Sequence, residues 1–254
     1  MMHKTVLLHE AVEGLLVSPE DTVVDATFGS GGHAREILSF LGKDGVYIGI
    51  DADATAFEGQ SLGATKATVH LVNDNFQNIT EILRTLHIEK VDAILADLGW
   101  RMEQFSDSGK GFSFNKDEPL TMTFGDPAKY PFTAHDIVND WDEETLANIM
   151  YGYAEERFSR RIARGIVLAR KDSIISTTKQ LVGIIENSVP KQYLHKKTHP
   201  ATKTFQALRI AVNDELGVLE EFIKQSFLRL DEGGRLAIIT FHSIEDRIVK
   251  QSFK

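Results

Sequence analysis

The strongest constraint on the fold lies in the first hundred residues, where short β-branched runs alternate with stretches of helical apolar spacing. Residues 22–26, 46–51, 68–72 and 91–97 each read as a short strand. Between them, residues 34–41 and 79–86 carry apolar side chains at the three-to-four-residue spacing of an amphipathic helix. Strands separated by helices pair in parallel, and a parallel sheet is buried by helices on both faces. The expected fold class is α/β, a doubly wound, mostly parallel Rossmann-like sheet.

The alternation then stops. Residues 103–133 are rich in Gly, Ser, Asp and Pro and read as loop, and from Ala134 to about Ser188 the pattern is helical without a strand. A last strand is expected at residues 234–241. The economical organisation is a sheet domain made of residues 1–102 and 206–254, with residues 103–205 as a helical insertion between strands four and five.

Charge follows this division. The chain carries a net charge of -9, yet residues 155–212 hold twelve Lys and Arg against four acids, about +8, leaving about -17 elsewhere. A phosphate-contacting face and a solvated helical surface are both compatible with that segregation. There are no cysteines, which excludes disulfides, thiolate metal sites and cysteine nucleophiles, and no metal is called for. Pyrimidine methylation at carbon generally proceeds through a cysteine adduct, so in this chain it would fall on a heteroatom. No run approaches the ~18 to 20 apolar residues of a membrane span. Glu10 and Glu13 come too early for a signal-peptide apolar region. A cytoplasmic protein with no membrane partner is expected.

Three features carry chemistry. Strand one runs into Phe28-Gly29-Ser30-Gly31-Gly32-His33, a turn whose glycines let backbone amides at a helix N-terminus approach a ligand. Gly29, Gly31 and Ala34 satisfy the dinucleotide fingerprint G-x-G-x-x-G/A literally, so an NAD-dependent oxidoreductase enters as an alternative. Asp51 closes strand two, where an acid accepts hydrogen bonds from ribose hydroxyls of either NAD or S-adenosylmethionine. A helix cap is its bland reading. Asp97 and Trp100, at the end of strand four, have the acid-x-x-aromatic format of amino-group methyltransferases. There an acceptor orients an exocyclic amine while the ring stacks on the base, although a capping Asp97 and a core Trp100 remain open. A target base must leave its stack to reach such a site.

Beyond these features the sequence resembles one family across nearly its whole length. The segments are residues 3–10, the glycine turn at 25–33, Gly111-Phe112-Ser113-Phe114, residues 153–157, residues 199–213 from His199-Pro200 to Val212-Asn213, and residues 241–250 beginning Phe241-His242-Ser243. They are similar to the motifs of the RsmH (MraW) family of bacterial 16S rRNA cytosine-N4 methyltransferases. The resemblance implies a class I methyltransferase that moves a methyl group from S-adenosyl-L-methionine to N4 of a cytidine in the decoding region of 16S rRNA, on the small ribosomal subunit. It implies cofactor contacts at Gly31, Gly32, His33, Asp51, Phe76, Asp97 and Gln104, catalytic roles for Asp97 and Trp100, and RNA recognition by the insertion. A non-catalytic ribosome-assembly protein that keeps the fold is the alternative. The chain departs from the family at Trp100-Arg101-Met102 and at Thr121-Met122-Thr123-Phe124, where the family pattern has small residues, and an acid and an arginine, respectively. It also stops at Lys254, where the family continues into further strands, so a fragment is expected.

Overall fold

The computed structural model describes residues 5–98 and 109–254, and Trp100 and Gln104 lie outside the described residues. The chain forms two compact units, residues 1–101 with 216–254, and residues 102–215. The boundary expected at 205/206 falls inside a helix, Ala201–Asn213, that belongs wholly to the second unit.

The first unit is a five-stranded sheet, all parallel, in the order β3-β2-β1-β4-β5. Its strands are β1 (Thr22–Asp25), β2 (Val46–Asp51), β3 (Thr68–Asn73), β4 (Val91–Asp97) and β5 (Leu230–Ile239). The helices are α1 (Leu8–Leu15), α2 (Gly32–Phe40), α3 (Ile79–Thr85) and, from the second pass of the chain, Glu215–Arg229 and Ser243–Ser252. Side chains alternate across the pleat. Val24, Ile48 and Ile94 therefore pack on one face with Ile82, Leu83, Leu219 and Phe222. Val23, Tyr47, Ala93 and Leu95 pack on the other with Val12, Leu15, Ile37 and Leu38. The near-continuous apolar runs of the strands are the consequence of burial on both faces.

The last strand starts earlier than its sequence pattern suggests. Leu230 pairs with Val91, residues 231–234 loop out, and regular pairing resumes with Arg235 against Ala93. The polar run Asp231-Glu232-Gly233-Gly234 hides the first pairing residue, so the pattern becomes legible only after the irregularity. Thr240 and Phe241, expected in the strand, lie beyond its end.

The second unit is helical, with α4 (Ala134–Asp140), α5 (Glu143–Ala154), α6 (Ser159–Ala169), α7 (Thr178–Ser188), a short α8 (Lys191–Leu194) and α9 (Ala201–Asn213) around one apolar core. Capping is explicit: Thr133 and Thr177 each form a capping box, with Asp136 and Gln180 respectively. Residues 109–133 contain no strand or α-helix and are held by scattered backbone bonds, such as Met122 N–H to the Lys110 carbonyl at 2.7 Å, and by side chains. Asn213, the last residue of α9, donates to the Met122 carbonyl at 2.8 Å and accepts from the Phe124 amide at 3.0 Å. This clamps the departure noted in the sequence. Thr123 is fully buried, its hydroxyl donating to the Gly125 carbonyl at 3.2 Å, so the smaller residue is accommodated without an orphaned polar group. Among the described residues no helix is long and apolar enough to cross a membrane.

The Asn213 clamp gives a stability prediction. Asn213→Ala leaves the Met122 carbonyl and the Phe124 amide without their partner, and should lower unfolding free energy by about 2 to 3 kcal/mol in urea titrations. A change under ~0.5 kcal/mol would show that the segment is held by its other backbone bonds and packing, without need of Asn213.

Candidate functional site

In this strand order β1 is flanked by β2 on one side and β4 on the other, and successive crossovers leave it in opposite directions. That reversal opens a crevice at the carboxyl ends of the strands, the usual ligand position in open α/β sheets. Three carboxylates stand there. Asp25, Asp51 and Asp97 are the last residues of β1, β2 and β4.

The turn after β1 is stitched across both neighbours. The Ala26 amide donates to Leu95 O of β4 and the Phe28 amide to Ile50 O of β2, each at 2.8 Å. The Thr27 hydroxyl accepts from the Asp97 amide at 2.6 Å. Asp51 fixes the next step: its two oxygens accept from the Gly29 and Asp53 amides, both at 2.9 Å. A carboxylate has about four acceptor sites, so a ribose diol would share Asp51 with these amides. Gly31 then caps α2 with φ +71°, a left-handed conformation that disfavours a side chain. Gly32 is small for another reason: a Cβ there would lie 1.9 Å from the Thr5 hydroxyl, so the N-terminal segment packs directly against this turn.

His33, in the first turn of α2, is buried with Nδ1 3.8 Å from Asp97 Oδ2. Burial pushes its pKa down and favours the neutral ring, against the opposing pull of the Asp97 charge and of a backbone hydrogen bond at Val6. Its Nε2 is buried without a hydrogen-bond partner among the described residues. Phe76 opens the turn after β3, its ring edge-on to Phe222 with centroids 4.9 Å apart. The structure thus brings Gly31, Gly32, His33, Asp51 and Asp97 to the carboxyl ends of adjacent strands and puts Phe76 at the end of β3, at the sheet edge.

Asp25 has no assigned role in the sequence, where it falls within strand residues 22–26 and opens the glycine-turn segment 25–33. It is fully buried, and accepts from the Tyr47 hydroxyl at 2.9 Å and the Thr27 amide at 3.3 Å. The register Val23↔Tyr47 explains the first contact, because it sets Tyr47 on the face that Asp25 shares, two residues along. Burial raises the Asp25 pKa from 3.8 to about 7; the Tyr47 and Thr27 hydrogen bonds oppose the shift, and the Asp97 and Asp51 charges add to it. An acid one residue before a small-residue turn, with a tyrosine on the neighbouring strand, was the available signal.

The shift has a signed consequence. Between pH 3.8 and about 7 the folded state holds a proton at Asp25 that the unfolded chain has released. This contribution to stability is therefore complete below about pH 4 and lost as pH rises to about 7, in total on the order of 4 kcal/mol. Asp25→Asn should flatten the pH dependence in that window, read by urea unfolding at several pH values. An undiminished slope in the variant would assign the effect to another group.

A family model described as the MraW methylase family matches residues 1–254. Among curated relatives, the ribosomal RNA small subunit methyltransferase H of Symbiobacterium thermophilum is 46% identical over 253 residues, covering 99% of this chain and 79% of the relative. The proteins of the same name from Brevibacillus brevis and Clostridioides difficile are 44% and 41% identical over 254 residues, covering 99% of this chain and 80% and 81% of themselves. With its whole length matched and its glycine turn set at the switch point of a doubly wound sheet, the chain belongs to the MraW methylase family.

Proposed function

We propose that this protein transfers a methyl group from S-adenosyl-L-methionine to the exocyclic N4 amine of a cytidine in the decoding region of 16S rRNA, within the small ribosomal subunit. The observation that carries the cofactor assignment is the pair Asp51 and Asp97 at strand ends on either side of β1 and its glycine turn. Negative potential in a crevice favours a ligand bearing sulfonium and ammonium charges and disfavours a dinucleotide pyrophosphate. That weighs against the nicotinamide-dependent alternative. His33 Nε2, a buried polar atom beside Asp97, suits a polar ligand group. The names of the relatives, which specify small-subunit ribosomal RNA, support the substrate class.

When bound, S-adenosylmethionine supplies an electrophilic methyl group on a cationic sulfur. Asp51 would hold the ribose hydroxyls, the backbone at Gly31, Gly32 and His33 would face the amino-acid end, and Phe76 and, by family resemblance, Gln104 would complete the set that holds the cofactor. Asp97 accepts hydrogen bonds from the target amine. This would localise the nitrogen lone pair, otherwise delocalised into the ring, for in-line attack on the methyl carbon. As the N–C bond forms the S–C bond breaks to leave a neutral thioether, and the nitrogen gives up one proton to solvent. Trp100 stacks on the extruded base. The reaction needs no enzyme nucleophile, which accords with a chain that has no cysteine. The insertion supplies the RNA-recognition surface.

The decisive experiment supplies labelled S-adenosylmethionine and unmethylated small ribosomal subunits, followed by nucleoside mass spectrometry. N4-methylated cytidine is expected. Cofactor binding with no label in RNA would instead favour a non-catalytic assembly protein. Asp97→Asn should suppress turnover while cofactor affinity stays within about tenfold, ~1.4 kcal/mol. Equal loss of both would make Asp97 purely a cofactor ligand. Trp100→Ala should weaken RNA use by ~1 to 3 kcal/mol and spare cofactor binding, measured as KM and Kd. Unchanged RNA kinetics would reduce Trp100 to a packing residue.

A further inference from the structure

The residues 153–157 and the region around His199, both conspicuous in the sequence, have no role in the site described so far. In the helical unit they meet. Glu156 is fully buried at the end of α5, where its oxygens accept from the Phe158 amide at 2.8 Å and the Tyr193 hydroxyl at 2.7 Å. This holds the two rings edge-to-face, centroids 4.9 Å apart. Arg157 lies over both, its guanidinium carbon 4.6 Å from the Phe158 centroid and 4.9 Å from that of Tyr193. Lys196 lies 5.3 Å from the Tyr193 centroid.

The surroundings are predominantly cationic, the nearby acids being the buried Glu156, and Glu186, which lies 3.3 Å from His199 Nε2. Arg157, Lys196 and Lys203 line a recess of about 210 Å³ together with Tyr193, Thr198 and His199. Arg157 also lines a second recess with Arg160 and Arg161, and Arg161 lines a third with Arg164. The three recesses are thus chained by shared arginines, and no Asp or Glu lines any of them. Among the described residues no carboxylate lies within ion-pair distance of Arg157, Arg160, Arg161, Arg164 or Lys196. A solvated helical face ordinarily mixes signs, so this run of one sign points outward to an anionic partner.

We propose that the track from Arg164 through Arg161 and Arg157 to Lys196 and Lys203 binds a single-stranded RNA segment, with Arg157 as a pre-stacked platform for one unpaired base. An arginine held on aromatic rings by cation–π attraction loses little further freedom on binding. Its outer face stacks on a base and its N–H groups reach phosphate oxygens. Planar stacking favours nucleic acid over an acidic peptide, and a stacked base must be unpaired. Glu156 is a positioning residue, holding Tyr193 and the backbone at Phe158. The choice of RNA rests on the methyltransferase reading above, but the track is tested without turnover.

The test measures binding of a fluorescein-labelled, about 15-nucleotide single-stranded RNA to the full chain by anisotropy across a salt series. Replacing Arg157, Arg161 and Arg164 together with Ala should raise Kd at least tenfold and lower the salt slope by about 2, at about 0.7 per lost phosphate contact. Lys43→Ala with Lys224→Ala, two exposed sheet-unit lysines, should change neither. Arg157→Lys should keep the slope yet weaken binding about tenfold, because the charge stays and the planar stack goes. Equal binding by the triple variant and wild type would overturn the track, and wild-type affinity in Arg157→Lys would overturn the platform. Should the triple variant fail to fold, lysine acetylation of the wild type decides: RNA must protect Lys196 more than Lys43, and equal labelling would overturn the proposal. The two readings fail differently. RNA binding without methyl transfer overturns the reaction alone, whereas subunit methylation by the triple variant at wild-type KM overturns the track alone.

Discussion

Everything at the sheet's carboxyl edge depends on how the chain leaves β1. A central parallel strand whose neighbours diverge must carry its backbone across two strand ends at once. Here the Ala26 amide bonds to β4 and the Phe28 amide to β2, with Thr27 between them accepting from Asp97. Three consecutive residues thereby fix the relative positions of β2, β1 and β4 at the place where the glycine turn begins. Asp51 continues the same logic by tying the Gly29 amide to its own strand end. The carboxylates are placed by the backbone bonds of the scaffold, so their geometry is as rigid as the sheet itself.

That rigidity has an electrostatic cost. Asp25 is fully buried and feels both Asp97 and Asp51, and the fold accommodates it by raising its pKa to about 7 and supplying the Tyr47 hydroxyl. A neutral isostere such as asparagine has one acceptor oxygen, whereas Asp25 presents one oxygen to the Tyr47 hydroxyl and the other to the Thr27 amide. Retention of an acid at a position that opposes its ionisation is an arrangement in which a nearby positive charge would restore the ionised form. The mechanism proposed above requires such a charge beside Asp51 and Asp97.

Much of this was legible in the sequence because a buried parallel strand leaves a periodic signature. The four early strands, their intervening helices and the late strand all announced themselves by apolar runs. What escaped was non-local. Leu230 belongs to β5 although four polar or glycine residues separate it from the recognisable part. The return to the sheet unit comes after Glu215, because α9 packs its apolar face, including Phe205 and Leu208, into the insertion's own core. Gly32 reads as part of a ligand cradle, and only the fold shows that its missing side chain also makes room for Thr5, twenty-seven positions earlier. Asp25 reads as part of a strand, and only the cross-strand register reveals its partner Tyr47. Trp100 and Gln104 fall outside the described residues, so their roles rest on sequence alone.

The segregation of charge becomes intelligible when the two units are considered for their separate tasks. A crevice that attracts a cationic methyl donor needs a surplus of carboxylates, whereas a surface that engages a polyanion needs the reverse. Mixing both signs over one domain would weaken each field through pairing and screening. A net charge of -9 for the whole chain is therefore uninformative about its partner, because it averages about +8 over residues 155–212 with about -17 elsewhere. The insertion makes the separation possible: it has its own core, so its surface charge can be set without compromising the sheet. On this view the uncompensated arginines of the track and the crowded carboxylates at the strand ends answer the same requirement, that a neutral amine be methylated on an anionic polymer by a cationic donor.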